Sequence, residues 1–398
     1  MQLVQGTLRF GWFLFFIIFI IKRVKFQKSS NLILIISSLF ALMAFFQKVS
    51  EMSDLYEAFG YLNGIRESGF SYFQNPHYTI QNYFSGKIGL QLYFYLMSLF
   101  PYNNFYSAIS MFLMYFFLLK SIQVAVEYYD LEKRMLQNCI ILLILIINFY
   151  NASNGVRNML AFSVFIYGIV LDIYKEKRCV AVILYLVGVS IHPAVAVLVG
   201  LRYLYLVKNI FLKLTVGAVL LLWANGLSGL LAILQPFNSI GFISVLSGKI
   251  TYYSMLGGSN ENFGETFNTS GSYLMMRYFR IFWVLLILCA AFVIIMKNIK
   301  EQNGIAVFSF YLGMFTLGTL PSIFATNVFS RYSVAVFMVT PILLCQYRSL
   351  DLQKIKLRIR YTKIGLLEAG LCIGIVLILY YNLTASYSAF ALTTQMYS

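Results

Sequence analysis

The sequence predicts an all-α, polytopic membrane protein on three observations: its apolar share, the recurrence of long apolar runs, and the placement of lysine between them. Of its 398 residues 60% are hydrophobic and 11% charged, and the mean hydropathy is +0.77. A water-facing surface needs roughly a quarter of its residues charged, so the composition excludes a soluble globule. No Pro/Gly/Ser-rich linker or long polar block interrupts the pattern, and residues 1–398 read as a single helical membrane domain.

The first apolar run, 7–21, is followed by Lys22, Arg23, Lys25 and Lys28. A secretory signal carries its charge before the apolar stretch, so this run reads as a first anchor with its N-terminus outside. Further runs able to cross roughly 30 Å of hydrocarbon fall at 31–46, 105–126, 136–150, 157–174, 179–191, 193–207, 214–233, 278–296, 304–321, 333–347 and 364–381. That makes about twelve spans. The loops 22–30, 127–135, 175–178, 208–213, 297–303 and 348–363 then face the cytoplasm. They hold Lys175, Lys177, Arg178, Lys208, Lys213, Lys297, Lys300 and the cluster Arg348, Lys354, Lys356, Arg358, Arg360 and Lys363. Cations resist translocation, and this sidedness satisfies that rule throughout.

Residues 88–100 are apolar enough to be counted as a span, but counting them inverts every later loop and turns the basic clusters outward. They read instead as a helix lying along the outer membrane surface, bounded by Gly86, Lys87 and Pro101. Residues 54–68 are amphipathic as well, with Leu55, Phe59, Leu62 and Ile65 at three- and four-residue steps. Two in-plane helices thus fill the first large outer loop, 47–104. The second, 234–277, contains Gly257-Gly258-Ser259-Asn260 and Asn268-Thr269-Ser270-Gly271, turn-forming runs in a segment long enough for a lid or binding loop. Runs 179–191 and 193–207 are short, and Pro193 breaks any continuous helix through them.

The net charge of +16 sits in short clusters flanking apolar runs, where topology accounts for it, and no nucleic-acid role is expected. The cysteines Cys139, Cys179, Cys289, Cys345 and Cys372 lie in or beside apolar runs without a CxxC pair, and there are two histidines. Neither a disulfide framework nor a metal centre is expected from them. No P-loop, dinucleotide fingerprint, HExxH or nucleophile elbow occurs, which removes support for ATP-driven and protease readings.

Isolated polar groups on the outer side need another explanation. Asn154-Gly155-Val156-Arg157-Asn158 places an arginine where an outer loop becomes a helix. Helix N-terminal amides plus a guanidinium form an anion site suited to phosphate; the competing reading is an arginine snorkelling to headgroups. Ser330-Arg331-Tyr332-Ser333 repeats the arrangement, and Arg277 and Arg280 flank the expected start of the ninth span. Three such helix starts would surround a diphosphate. His192, at the outer turn Ser190-Ile191-His192-Pro193, would donate to phosphate or act as a base, or else serve as a structural histidine. His77 reads as an ordinary surface residue.

Glu51, Asp54, Glu57 and Glu67 gather in the first outer loop, and Glu261 and Glu265 in the second. A carboxylate at the mouth of an anion site is the usual group for deprotonating a sugar hydroxyl. Asp54, between span and in-plane helix, is the preferred catalytic candidate; a solvated helix N-terminal carboxylate is the alternative. Tyr56, Tyr61, Tyr72, Tyr78, Tyr83, Tyr252 and Tyr253 crowd the same loops. Their rings suit sugars, and tyrosine also enriches at any membrane interface.

At Asp54-Leu55-Tyr56, Arg157-Asn158-Met159-Leu160-Ala161, Ile191-His192-Pro193 and Arg331-Tyr332 the chain resembles the EpsG-like, Wzy-type family of bacterial polysaccharide polymerases (O-antigen, capsule or exopolysaccharide). The resemblance spans nearly the full length. It implies glycosyl transfer on the outer face of the cytoplasmic membrane, moving a growing glycan on undecaprenyl diphosphate onto another lipid-linked repeat unit. The first outer loop is similar to that of lipid-phosphosugar glycosyltransferases of the GT-C class. On this resemblance Arg157 and Arg331, supported by Arg277, Arg280 and His192, would hold the donor diphosphate, and Asp54 would take the acceptor proton. The leaving group carries its own activation, so no cofactor, ATP or obligatory metal is implied. The implied partners are the undecaprenyl-diphosphate-linked oligosaccharide, membrane lipid and a chain-length regulator.

Alternatives remain open at this stage. A lipid-linked oligosaccharide flippase would also need cations for diphosphate, lining a passage to both faces. An O-antigen ligase differs only in its acceptor, and a structural membrane scaffold would need none of these groups.

Overall fold

The computed structural model describes residues 2–23, 29–47, 49, 53–75, 77, 80, 83–147, 149–221, 236, 271–298, 304–319 and 326–354. Among them the secondary structure is helical throughout, without strands. By its contacts the chain divides into two compact units, the first comprising Met1–Val199, Met338–Lys356 and Leu379–Ser398, the second Gly200–Phe337 and Leu357–Ile378.

In the first unit α1 (Gln2–Arg23), α2 (Ser29–Phe45), α3 (Asp54–Ser68), a 3-10 turn (Gly69–Gln74), α4 (Ile88–Ser98), α5 (Asn104–Tyr128), α6 (Lys133–Ile146), α7 (Phe149–Asn154), α8 (Val156–Lys175) and α9 (Arg178–Ile191) follow in order. At the core α5 packs against α2 and α8, and α8 against α9. Buried residues occupy every face of α8 from Met159 to Tyr174 except at Tyr167, which explains why its sequence is apolar all round rather than striped. Phe40 of α2 stacks on Tyr115 of α5 with ring centroids 3.9 Å apart.

Both α5, of 25 residues, and α8, of 20, are long and apolar enough to cross a membrane. They run parallel. At one end Lys175 pairs with Glu127 at 3.2 Å, and Tyr129 donates to the Tyr174 hydroxyl at 3.0 Å. Lys120 and Gln123 donate to Ser30 and Ser29 at the start of α2 on that side. Toward the other end Asn104 donates to the Phe45 carbonyl, and Tyr106 meets Val156. Segments expected to face the cytoplasm thus collect at one end, and those expected outside collect at the other, about 37 Å away by the length of α5.

The two helices of the first outer loop appear at 54–68 and 88–98. At 11 residues α4 is about 16 Å long, about half the thickness of a hydrocarbon core of roughly 30 Å. Its Ile88, Leu92, Tyr95, Leu96 and Leu99 form one exposed apolar ridge, while Leu90, Phe94 and Met97 face inward. Exposed apolar rows also mark α1 (Phe15, Phe16, Phe19) and α9 (Val180, Ile183, Leu186, Val187). Lipid solvates surface of this kind, and water does not.

One segment departs from the sequence expectation here. The run 136–150 is not one helix: α6 ends at Ile146, Ile147 is extended, and α7 begins at Phe149. The short helices around Pro193 are divided as expected, His192 taking the extended conformation (φ −144°, ψ 118°) that a following proline imposes.

The second unit begins within α10 (Ala194–Leu204), whose first part belongs to the first unit, and continues through α11 (Ile210–Leu221), α12 (Gly271–Asn298), α13 (Gly304–Thr319) and α14 (Thr326–Lys354), whose last part returns to the first unit. Here α12 packs on α13, and Trp283 meets Phe337 edge-on at 6.1 Å. Helices α12 and α14 begin seven residues before the expected 278 and 333. An apolar run measures the lipid-compatible part of a helix, whereas backbone capping sets its start. The expected twelfth span, 364–381, and the loop stretch 237–270 lie outside the described residues.

Candidate functional site

The site begins with two helix starts. Ser53 caps α3 in extended conformation, its hydroxyl accepting from the Tyr56 amide at 3.2 Å, and Asp54 and Glu57 occupy the first turn. Serine as cap and carboxylates beside the positive helix end both favour initiation there. At the other start Gly155 precedes α8 without a side-chain cap, and its carbonyl accepts from the Met159 amide at 3.1 Å. The first amides of an α-helix have no partner within the helix, so those of 156–158 point from α8 toward the space in front of it.

These two starts meet. A cleft of about 20 Å3 is bounded by Asp54, Leu55 and Ala58 of α3, by Tyr83 and Tyr106, and by Asn154 through Asn158. Room for roughly one water is room for one oxygen of a larger anion. The Arg157 guanidinium lies 4.3 Å from the centroid of the Tyr83 ring. Its Nη1 is buried and has no hydrogen-bond partner among the described residues, as is true of Asn158 Oδ1. An unpaired buried guanidinium N–H costs free energy that an acceptor ligand would recover. Arg157 and Asp54 line the same cleft without an ion pair, the pair among the described residues being Lys175 with Glu127.

Tyrosines form the wall. Tyr83 sits 4.6 Å from Tyr61 and 4.9 Å from Phe84. Burial pushes the Tyr83 phenol up to about 12, against the pull of the Arg157 charge, and burial followed by the Glu57 charge raises Tyr61. Both phenols are neutral at physiological pH and cannot serve there as bases. That leaves Asp54 as the carboxylate of the cleft.

The far end of α3 is held by Arg66. It donates to the carbonyls of Ser98 (3.1 Å) and Phe100 (3.0 Å), to Asn63 Oδ1 (2.9 Å), and to Asn103 Oδ1. One fork thereby fastens α3 to the turn between α4 and α5. Gly69 then ends α3 at φ 63°, a conformation glycine adopts without a Cβ penalty.

The other expected site residues fall elsewhere. His192 is buried, and its Nδ1 accepts from the Ala194 amide at 3.2 Å, which gives it a place in the Pro193 turn; it does not line the cleft. Arg277 and Arg280 belong to the second and third turns of α12, and Arg331 to the second turn of α14, so none of the three opens a helix. Their side chains lie outside the described residues, as do Glu51, Tyr78, Tyr252, Tyr253, Glu261 and Glu265. Among the described residues no group of three or more His, Cys, Asp or Glu forms a metal site.

The chain matches no family model, no curated protein and no solved structure. What the cleft can do chemically therefore rests on its own groups: a buried, unpartnered guanidinium nitrogen at a helix start to receive an anion, and a carboxylate to receive a proton. Asp54 and Arg157 are sequence candidates that line this cleft, whereas Tyr83 as the surface beneath Arg157 has no signal in the sequence. Tyr83 and Arg157 are 74 positions apart, and no local pattern signals such a contact.

Proposed function

We propose that the chain is a multi-pass membrane glycosyltransferase of about twelve spans, a polymerase joining undecaprenyl-diphosphate-linked oligosaccharide units on the outer face of the bacterial cytoplasmic membrane. The observation that carries the reading is the meeting of Asp54 and Arg157 in one cleft, at the end of the first unit opposite Lys175 and its basic neighbours. Two GT-C-like features support it, the in-plane helices before the core spans and the outward position of the cleft.

In this reading the acceptor hydroxyl oxygen attacks the anomeric carbon of the donor glycan. Asp54 takes the hydroxyl proton as the new C–O bond forms. The bond from the anomeric carbon to the diphosphate breaks, and its electron pair leaves with the diphosphate. Arg157 Nη1, with the first amides of α8, stabilises the charge gathering on that leaving group. Exposed apolar faces on α4 and α9 provide lipid-facing surface along which the polyprenyl chain lies.

The test is a glycan gel from a deletion strain carrying wild type, Arg157→Gln or Asp54→Asn. Both variants should lose elongation by about 100-fold or more, while single repeat units remain displayed outside. Units trapped inside the cell would point to a flippase, and long chains retained on the carrier lipid to a ligase. Wild-type glycan in both variants would sink the proposal.

A further inference from the structure

Beyond the cleft, α3 presents a second surface. Asp54, Glu57, Tyr61 and Gly64 follow at three- and four-residue steps, so they share one face of the helix, adjacent to the buried face of Leu55, Ala58, Leu62 and Ile65. Tyr72, from the 3-10 turn, lies across this face at Gly64. A Cβ there would stand 2.6 Å from its Cζ and 2.9 Å from its hydroxyl, so the helix carries no side chain where the ring crosses. Tyr83 packs beside Tyr61 at the cleft end. The result is a row about 15 Å long, from Asp54 to Gly64, in which a carboxylate, Glu57, alternates with half-buried tyrosines. Glu57 is exposed, and its backbone N–H donates to the Ser53 carbonyl at 3.3 Å, so its carboxylate faces outward from the first turn.

Apolar packing explains the inner face of α3, and Arg66 explains its anchorage; neither requires tyrosine hydroxyls and an exposed carboxylate in line with the cleft. Aromatic rings take the apolar faces of pyranoses, and a carboxylate accepts from vicinal hydroxyls. We propose that this face of α3 is a carbohydrate track that seats the acceptor glycan and leads its terminal sugar to Asp54. The inference rests on the glycosyltransferase reading of the cleft and names the acceptor's place in it. Asp54, Glu57 and Glu67 make α3 anionic, so the track selects neutral or amino sugars and disfavours uronic acids.

The experiment uses the full chain in lipid nanodiscs and two probes: undecaprenyl diphosphate, and the repeat-unit oligosaccharide released from carrier lipid by mild acid. Glu57→Gln and Tyr72→Ala should weaken oligosaccharide binding about five- to tenfold and leave undecaprenyl diphosphate affinity unchanged. Tyr72→Phe should retain both, and Arg157→Gln should lose the diphosphate lipid alone. Thermal unfolding of each variant separates loss of binding from loss of fold. Unchanged oligosaccharide affinity in Glu57→Gln and Tyr72→Ala overturns the track. So does a wild type that binds undecaprenyl diphosphate but no oligosaccharide, an outcome that leaves the cleft reading intact. A wild type that binds neither probe overturns both.

Discussion

Removing Arg66 should release α3 from the body of the first unit while leaving the core helices folded. The guanidinium donates to two carbonyls, at 3.1 Å and 3.0 Å, and to the amide oxygens of Asn63 and Asn103. A hydrogen bond from a charged donor contributes about 1.5–3 kcal/mol when buried. Arg66 is only half-buried, and solvent reduces each contact, so about 1 kcal/mol per carbonyl and less per amide is a fair scale. Arg66→Ala should then shift the docking equilibrium of α3 by about 2–3 kcal/mol, or roughly 30- to 150-fold. Hydrogen–deuterium exchange in detergent reads this directly: amides within 58–68 should exchange faster by about that factor, while α8 amides keep their rates. Arg66→Lys should recover less than half, because an ammonium lacks the planar fork that reaches both carbonyls. Unchanged exchange in α3, or equal acceleration in α3 and α8, would refute the claim that this residue fastens the site-bearing helix.

Tyr83→Leu should weaken undecaprenyl diphosphate binding about 5- to 30-fold through loss of the ring under Arg157, a contact of about 1–2 kcal/mol, whereas Tyr83→Phe should bind as wild type. The Tyr83 phenol titrates near 12 in the folded chain against 10 when free. Its contribution to stability is thus complete below pH 10 and fades as pH rises to about 12; alkaline unfolding curves of Tyr83→Phe should lack that component. At Gly89 an added Cβ would stand 2.7 Å from Ser190 Cβ and 3.3 Å from its carbonyl carbon. Gly89→Ala should destabilise by about 1–3 kcal/mol in thermal unfolding, with partial rescue by Ser190→Gly. In a cysteine-free background, Gln74→Cys should react with a membrane-impermeant maleimide on intact cells and Lys177→Cys only after permeabilisation; the reverse pattern would invert the proposed sidedness.

Much of the first unit was legible because it depends on patterns confined to single segments. The amphipathic step of Leu55, Phe59, Leu62 and Ile65 and the proline after His192 each specify a local conformation, and α3 and the 191–193 turn stand where these signals put them, with Ala58 rather than Phe59 in the buried row. Apolar length places the start of α13 at 304, where it stands, but the starts of α12 and α14 seven residues late, because polar residues extend those two helices beyond their apolar parts. Thr326, Asn327 and Ser330 are polar but do not stop α14. The Tyr83 platform and the Arg66 clamp were hidden for a different reason. Each joins segments far apart in the chain through contacts that carry no periodicity, and each uses a residue type that interface anchoring already explains.

The contrast between Arg157 and Arg331 shows which sequence feature made the helix-start inference work. Arg331 follows Ser330 directly, whereas Arg157 follows Val156 and has a glycine two positions before it, and there the chain turns out of α7 before α8 begins. Without such a break α14 continues through Ser330 and Arg331, and the amides near that arginine are spent on the helix itself. At Arg157 the helix starts one residue after Gly155, within two residues of the guanidinium. Its guanidinium is held by an aromatic face instead of a carboxylate, so its charge is not cancelled by Asp54 across the cleft. Had the two formed an ion pair, an incoming anion would first have to break it, and Asp54 would be occupied when the proton arrived. In the proposed transferase, cation–π support for the arginine would therefore keep anion binding and proton acceptance available together in one small space.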